Sequence, residues 1–246
     1  MKFHYIILIK QQVIIMKSIK AVLFDFDGTI ADSLDVWTEL DRIFLLRHSI
    51  AADSSELDLN GLCFSEAAVY IKNFFGLKES AEKIKQEWRT LYTELFFSSA
   101  SLKNKVYEFI KALKSEGLKV CIGTSNDREI VSKIMTSSRL TEDIDHILTC
   151  CETGKSKPHP KVYLDLASKL NLTPPECIVF EDSPEGIAAG KNAGMKVVAV
   201  HNRANHRHEK QIIDESDFYI EDYSFFVKHF GDLASVLQNL KNYFIR

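Results

Sequence analysis

Short apolar runs recur along this chain, most of them ending in small polar or acidic residues. They are "AVLFDFD" at 21–27, "LKVCIGTSN" at 118–126, "DHILTC" at 145–150, "ECIVFEDS" at 176–183 and "KVVAV" at 196–200. Helical patterns separate them: "REIVSKIMTSS", "PKVYLDLASKLNL" with Pro near its start, and "PEGIAAGKNAGM" with Pro in its first turn. No other feature constrains the fold so strongly. Strands that are apolar on both faces and alternate with helices predict a parallel sheet covered on both sides.

Between residues 33 and 98 the alternation stops. Residues 33–48 have helical spacing, "FSEAAVYIKNFFG" ends at Gly76, and "SAEKIKQEWRTLYTELFF" opens at Ser80. "SLKNKVYEFIKALKSEG" then reads as a helix closed by Gly117. The expected organisation is an α/β core over 16–32 and 99–246, with an all-helical cap inserted over 33–98.

The chain has 246 residues, 46% of them hydrophobic, which is enough for one core and a smaller unit. Its net charge of −3 gives no electrostatic case for nucleic acid or an anionic membrane. In "MKFHYIILIKQQVIIMKSIK" the longest apolar run, Tyr5 to Ile9, is too short for a signal peptide or a membrane span. Met16 is the more natural start, so residues 1–15 are expected to be a non-native or misassigned extension. The five cysteines are irregularly spaced and read as free thiols in a reducing cytosol, not as a zinc site or disulfide framework.

In open parallel sheets, ligands gather at the carboxyl ends of the strands. Here those ends carry Asp25 and Asp27, then Thr124, Ser125 and Asn126, then Glu181 and Asp182. Residues two apart in a strand share a face, so Asp25 and Asp27 repel unless a cation lies between them. Carboxylate oxygens suit Mg²⁺, and a lysine with hydroxyl and amide donors suits phosphate. Lys155 and Lys157 lie just beyond a fourth strand end. The set is that of a phosphoryl-transfer site.

In order, "FDFDGTIADS", "TSN", Lys157 in "KSKPHPKVY", and "VFEDSPEGIAAGKNAGM" resemble the four motifs of the haloacid dehalogenase-like hydrolase superfamily. The helical insert is similar to the small cap of the subgroup with phosphoglycolate phosphatases and beta-phosphoglucomutase. The resemblance implies a Rossmann-like parallel sheet and Mg²⁺-dependent hydrolysis of a small phosphorylated metabolite through an aspartyl-phosphate. It makes Asp25 the nucleophile and Asp27 the general acid and base. Asp25, the Asp27 carbonyl and Asp182 would hold Mg²⁺, with Glu181 ligating directly or through water. Thr124, Ser125, Asn126 and Lys157 would bind the phosphate. Lys157 is favoured over Lys155 because it directly precedes Pro158. A cytoplasmic monomer or weak dimer is expected.

Thr29 after the motif glycine, and Trp37 where the similar mutases carry a histidine, favour water as the phosphoryl acceptor. A phosphomutase is the alternative, and a non-catalytic binding protein on this scaffold is a further one. The loop near "NGLCFS" is expected to shape substrate choice. Trp37, Phe64, Phe74, Phe75 and Trp88 are expected to form the core of the cap. Arg42, Arg47, Lys72 and Arg89 read as solvated charges, and so does "HNRANHRHEK", a histidine-rich stretch over 201–210.

Overall fold

The computed structural model describes residues 19–52, 59 and 61–228. The expected N-terminal extension, Asn60 of the cap loop and residues 229–246 lie outside these. The chain enters through strand β1 (Ala21–Phe24) and crosses a two-residue strand, β2 (Ala31–Asp32), into helices α1 (Leu34–Arg47), α2 (Phe64–Phe74) and α3 (Ala81–Ser99). It returns through β3 (Ser101–Leu102), helix α4 (Val106–Ser115), β4 (Lys119–Thr124), α5 (Arg128–Ser137), β5 (His146–Thr149), α6 (Cys150–Thr153) and α7 (Lys161–Lys169). Then follow β6 (Cys177–Glu181), α8 (Pro184–Asn192), β7 (Lys196–Val200), α9 (Glu209–Glu215), β8 (Phe218–Ile220) and α10 (Ser224–Lys228).

Six strands form one sheet in the order β5-β4-β1-β6-β7-β8, and every pairing is parallel. β1 is interior because nothing in it needs water: all four residues are fully buried. Its side chains alternate between two apolar layers. Val22 and Phe24 join a layer with Phe109, Phe180 and Tyr223, while Ala21 and Leu23 join one with Tyr163, Leu166 and Ile187. Phe24 pairs in register with Ile122 of β4 and Phe180 of β6, so the polar ends of three neighbouring strands emerge at one level.

β2 and β3 pair antiparallel, Ala31 with Leu102, and form the stem through which the helical insert leaves and rejoins the sheet. Residues 101–102 therefore belong to this ribbon, and the expected helix there begins only at Val106. α2 starts at Phe64 with Cys63 as its N-cap. Glu66 reaches back to accept from the Cys63 N–H at 3.0 Å. Ser80 caps α3 as expected, accepting from the Lys83 N–H. Phe44, Phe64, Trp88 and Tyr92 pack between the helices, whereas Phe74 is exposed and outside that core. No helix among the described residues is long and apolar enough to cross a membrane.

Candidate active site

Asp25, Asp27, Thr124, Ser125, Asn126, Lys157 and Asp182 line one cavity of about 360 Å³ between the strand ends and the insert. Glu181 lies in the same cluster, fully buried. Gly28 makes the turn after β1 possible: its φ is +80°, and a Cβ there would stand 2.0 Å from the Asp182 carboxylate.

Three carboxylates, those of Asp25, Glu181 and Asp182, offer oxygens within 4.8 Å of one another. Among the described residues, one lysine bonds directly to them. Lys157, 5% exposed, donates to Asp25 Oδ1 at 2.5 Å and to Glu181 Oε1 at 2.6 Å, while Lys155 is exposed. Burial lifts the Asp25 carboxyl well above the usual range; Lys157 opposes this and the two neighbouring acids add to it. Burial, then Glu181, raises Asp182 to about 7. Three acids against one lysine leave a buried excess of negative charge, and the all-oxygen donor set fits a hard divalent cation.

Asp27 has different company. Its Oδ1 accepts from Ser33 Oγ at 2.6 Å and from the Tyr92 hydroxyl at 2.5 Å; its Oδ2 accepts from Asn126 Nδ2 at 2.7 Å. Burial raises its pKa, and these donors pull it back. The two acids of "DFD" thus differ in their surroundings: one belongs to the acid cluster, the other to a set of neutral donors.

The remaining expected residues divide as follows. Thr124 is buried and its Oγ1 accepts from the Asn126 N–H at 3.0 Å. The Asn126 amide is engaged with Asp27, and its Oδ1 accepts from the Asp127 N–H at 2.6 Å. Asp127 caps α5, accepting from the Glu129 N–H at 3.0 Å. Glu181 accepts at Oε1 from Lys157 and Tyr163 and at Oε2 from the Asp182 N–H and Ser183 Oγ. Asp32, paired with Ser101 in the ribbon, lies 3.3 Å from Lys103.

Five contributors were not singled out in the sequence: Ser33, Tyr92, Tyr163, Asn202 and Asn205. The last two correct the expectation of a solvated loop over 201–210. His206 and His208 are indeed exposed, but Asn202 is buried and donates to Asp182 Oδ2 at 2.9 Å. Asn205 donates to the same oxygen at 2.9 Å and to the Asp182 carbonyl at 3.0 Å. Their only sequence signal is position, just beyond the carboxyl end of β7.

The insert meets the sheet along a polar seam. The Phe64 N–H donates to the Ser125 carbonyl at 2.9 Å, and the Cys63 N–H to Ser156 Oγ at 3.1 Å. The thiols of Cys151 and Cys63 lie 2.9 Å apart across it. Arg89 of α3 grips Asp127 with two bonds of 3.0 and 2.9 Å, so it is a tether and not a solvated charge. Arg42 pairs with Glu39, Arg47 with Glu87, and Lys72 donates to the Leu77 carbonyl. None of these four cations lines the cavity.

A family model for the haloacid dehalogenase-like hydrolases matches residues 22–200. The chain is 33% identical over 192 residues to YhcW of Bacillus subtilis (strain 168), covering 75% of this chain and 84% of that protein. It is 30% identical over 191 residues to hexitol phosphatase B of Escherichia coli (strain K12), again covering 75% and 84%. Among solved structures, a HAD hydrolase of family IA, variant 3, from Entamoeba histolytica HM-1:IMSS superposes with a TM-score of 0.71 at 26% identity, covering 88% of this chain and 99% of that one.

Proposed function

The chain belongs to the haloacid dehalogenase-like hydrolases, and from that premise we propose that it is a Mg²⁺-dependent phosphatase of a small phosphorylated metabolite, with residues 33–98 as the cap over the site. The observation that carries the reading is the split between two aspartates: Asp25 bound to Lys157 inside an acid cluster, and Asp27 outside it among neutral donors.

In this reading Asp25, Asp182 and the Asp27 carbonyl hold the cation, which offsets carboxylate and phosphate charge when bound. Glu181 already accepts four bonds, so its role is to hold Lys157 and Asp182 in place. Asp25 attacks phosphorus, forming an acyl phosphate as the bond to the leaving oxygen breaks. Asp27 gives that oxygen its proton, then takes one from the water that cleaves the acyl phosphate. Asn126, Tyr92 and Ser33 fix the carboxyl of Asp27 for both transfers. Thr124, the Ser125 N–H and Lys157 face the phosphate oxygens, whose charge grows in the transition state.

Phosphate release from a panel of phosphomonoesters with and without Mg²⁺ tests the reading. Asp25→Asn should lower kcat on the order of 10³-fold or more while the circular dichroism spectrum stays native. Substantial turnover by that variant refutes the nucleophile. Conversion of β-glucose 1-phosphate to glucose 6-phosphate without phosphate release would identify the phosphomutase instead.

A further inference from the structure

The seam between insert and sheet carries a pair of thiols that the proposed chemistry does not use. Cys63 stands at the N-cap of α2 on the insert, and Cys151 lies in α6 on the core, 88 residues later. Their sulfurs are 2.9 Å apart, so joining them asks only for a small side-chain adjustment. Cys121, Cys150 and Cys177 are fully buried, and Cys63 is 4% exposed. Cys151 alone among the five is partly open to solvent.

Cys151 is also the thiol best placed to ionise. Ser65, the second residue of α2, donates its N–H to Cys151 Sγ at 3.3 Å, so the positive end of an 11-residue helix faces that sulfur. The hydrogen bond from the Cys63 thiol lowers the Cys151 pKa to about 6, against burial and with help from Ser65. The same bond, with burial, pushes Cys63 up, so at neutral pH Cys63 keeps its proton and Cys151 carries the charge. Burial pushes Cys121 up to about 12 and Cys177 up to about 11, and it raises Cys150 as well. One thiolate thus sits against one thiol able to resolve it, in a chain whose other thiols stay protonated.

We propose that Cys63 and Cys151 are a peroxide-reactive dithiol whose disulfide staples the insert to the sheet. The Cys151 thiolate attacks one oxygen of hydrogen peroxide; the O–O bond breaks and hydroxide leaves with its electron pair, giving a sulfenic acid. The Cys63 sulfur then attacks the Cys151 sulfur, and the S–O bond breaks with loss of a second hydroxide. The sulfur pair gives up two electrons, the peroxide gains them, and the two thiol protons convert both hydroxides to water.

The staple falls beside the cavity. Gly61, Leu62 and Phe64, on either side of Cys63, line it, and the Phe64 N–H is bonded to the Ser125 carbonyl. In the reduced chain this edge of the insert is held by hydrogen bonds, from Phe64 to Ser125, from Cys63 to Ser156 and from Arg89 to Asp127. Water can replace such bonds when the insert swings away from the sheet, and it cannot replace a covalent one. An effect on turnover rests on the phosphatase reading, in which substrate enters and product leaves between insert and sheet. The thiol chemistry does not rest on it.

The full chain, reduced and then exposed to a slight excess of hydrogen peroxide, tests both. Its intact mass should fall by two hydrogen atoms with no dimer formed, and digestion without reductant should yield Cys63 and Cys151 in one linked pair of peptides. Amide exchange over residues 61–65 should slow about tenfold. Phosphate release from p-nitrophenyl phosphate should fall about tenfold and return with dithiothreitol. Cys63→Ser should stop at a Cys151 sulfenic acid captured by dimedone, with turnover close to that of the reduced wild type, and Cys151→Ser should resist peroxide. Earlier oxidation of another cysteine, a link between two chains, or a linked chain with unchanged exchange would each overturn the site. So would an active chain whose turnover the link leaves unaltered. A reduced chain without turnover that still forms the link and gains the protection would defeat the phosphatase reading and leave the dithiol standing. Turnover with no link under peroxide would do the reverse.

Discussion

Asp25 and Asp27 are the same residue two positions apart, and under the proposed mechanism their surroundings make them different reagents. Asp41 shows the same principle away from the chemistry. Burial alone moves its pKa to about 6, from about 3.9 in an unfolded chain. The folded state thus holds that proton more tightly, so the contribution to stability is fully present below pH 4 and is lost as pH rises toward 6. Asp41→Asn should be more stable than wild type by about 2 kcal/mol at pH 7.5 and no different near pH 4. Urea unfolding at both pH values reads this; equal gaps at both would contradict it. The residues legible in the sequence were those in contiguous motifs at strand ends, such as Asp25, Asp27 and Asp182. Tyr92, Tyr163, Asn202 and Asn205 were not, because each is a lone polar side chain on a helix or loop. Only tertiary packing turns it toward its carboxylate.

Among the elements, α8 shows how closely helix and strand are fitted. Ser183 caps it, accepting from the Gly186 N–H at 3.2 Å, and Pro184 occupies its first position. A Cβ on Gly186 would stand 2.0 Å from the Glu181 carboxylate. Replacing a helical glycine by alanine ordinarily gains about 1 kcal/mol. Here Gly186→Ala should instead cost about 2 kcal/mol and lower activity, because Glu181 must move and Lys157 with it. A rise in the urea midpoint would show that Glu181 is free to yield. Helices with caps and apolar spacing were legible in advance, as at Ser80 and Pro184. The β2–β3 stem was not: two residues a side carry no alternation to detect, and only pairing across the insert defines them.

At the scale of the molecule, a cation held by the acid cluster, as proposed, would link stability to its binding. Any ion that binds the folded state alone adds RT ln(1 + [L]/Kd), about 2.7 kcal/mol at a hundredfold excess over Kd. Mg²⁺ should therefore raise the melting temperature, and EDTA should remove both that increment and the activity. Asp182→Asn should melt without a Mg²⁺ response. An unchanged wild-type melting curve would refute cation binding at Asp25 and Asp182. The sheet order has one more consequence. β1 comes first in the sequence yet lies in the interior of the sheet, so Asp25 meets Lys157 across 132 residues of chain and Asp27 meets Asn126 across 99. Contacts that close such long loops form late, after local helices. Catalytic competence is thus a clock for folding: a refolding chain regains helical signal first and turnover last, and a nascent chain that has not yet emitted β6 holds Asp25 and Asp27 without an active site.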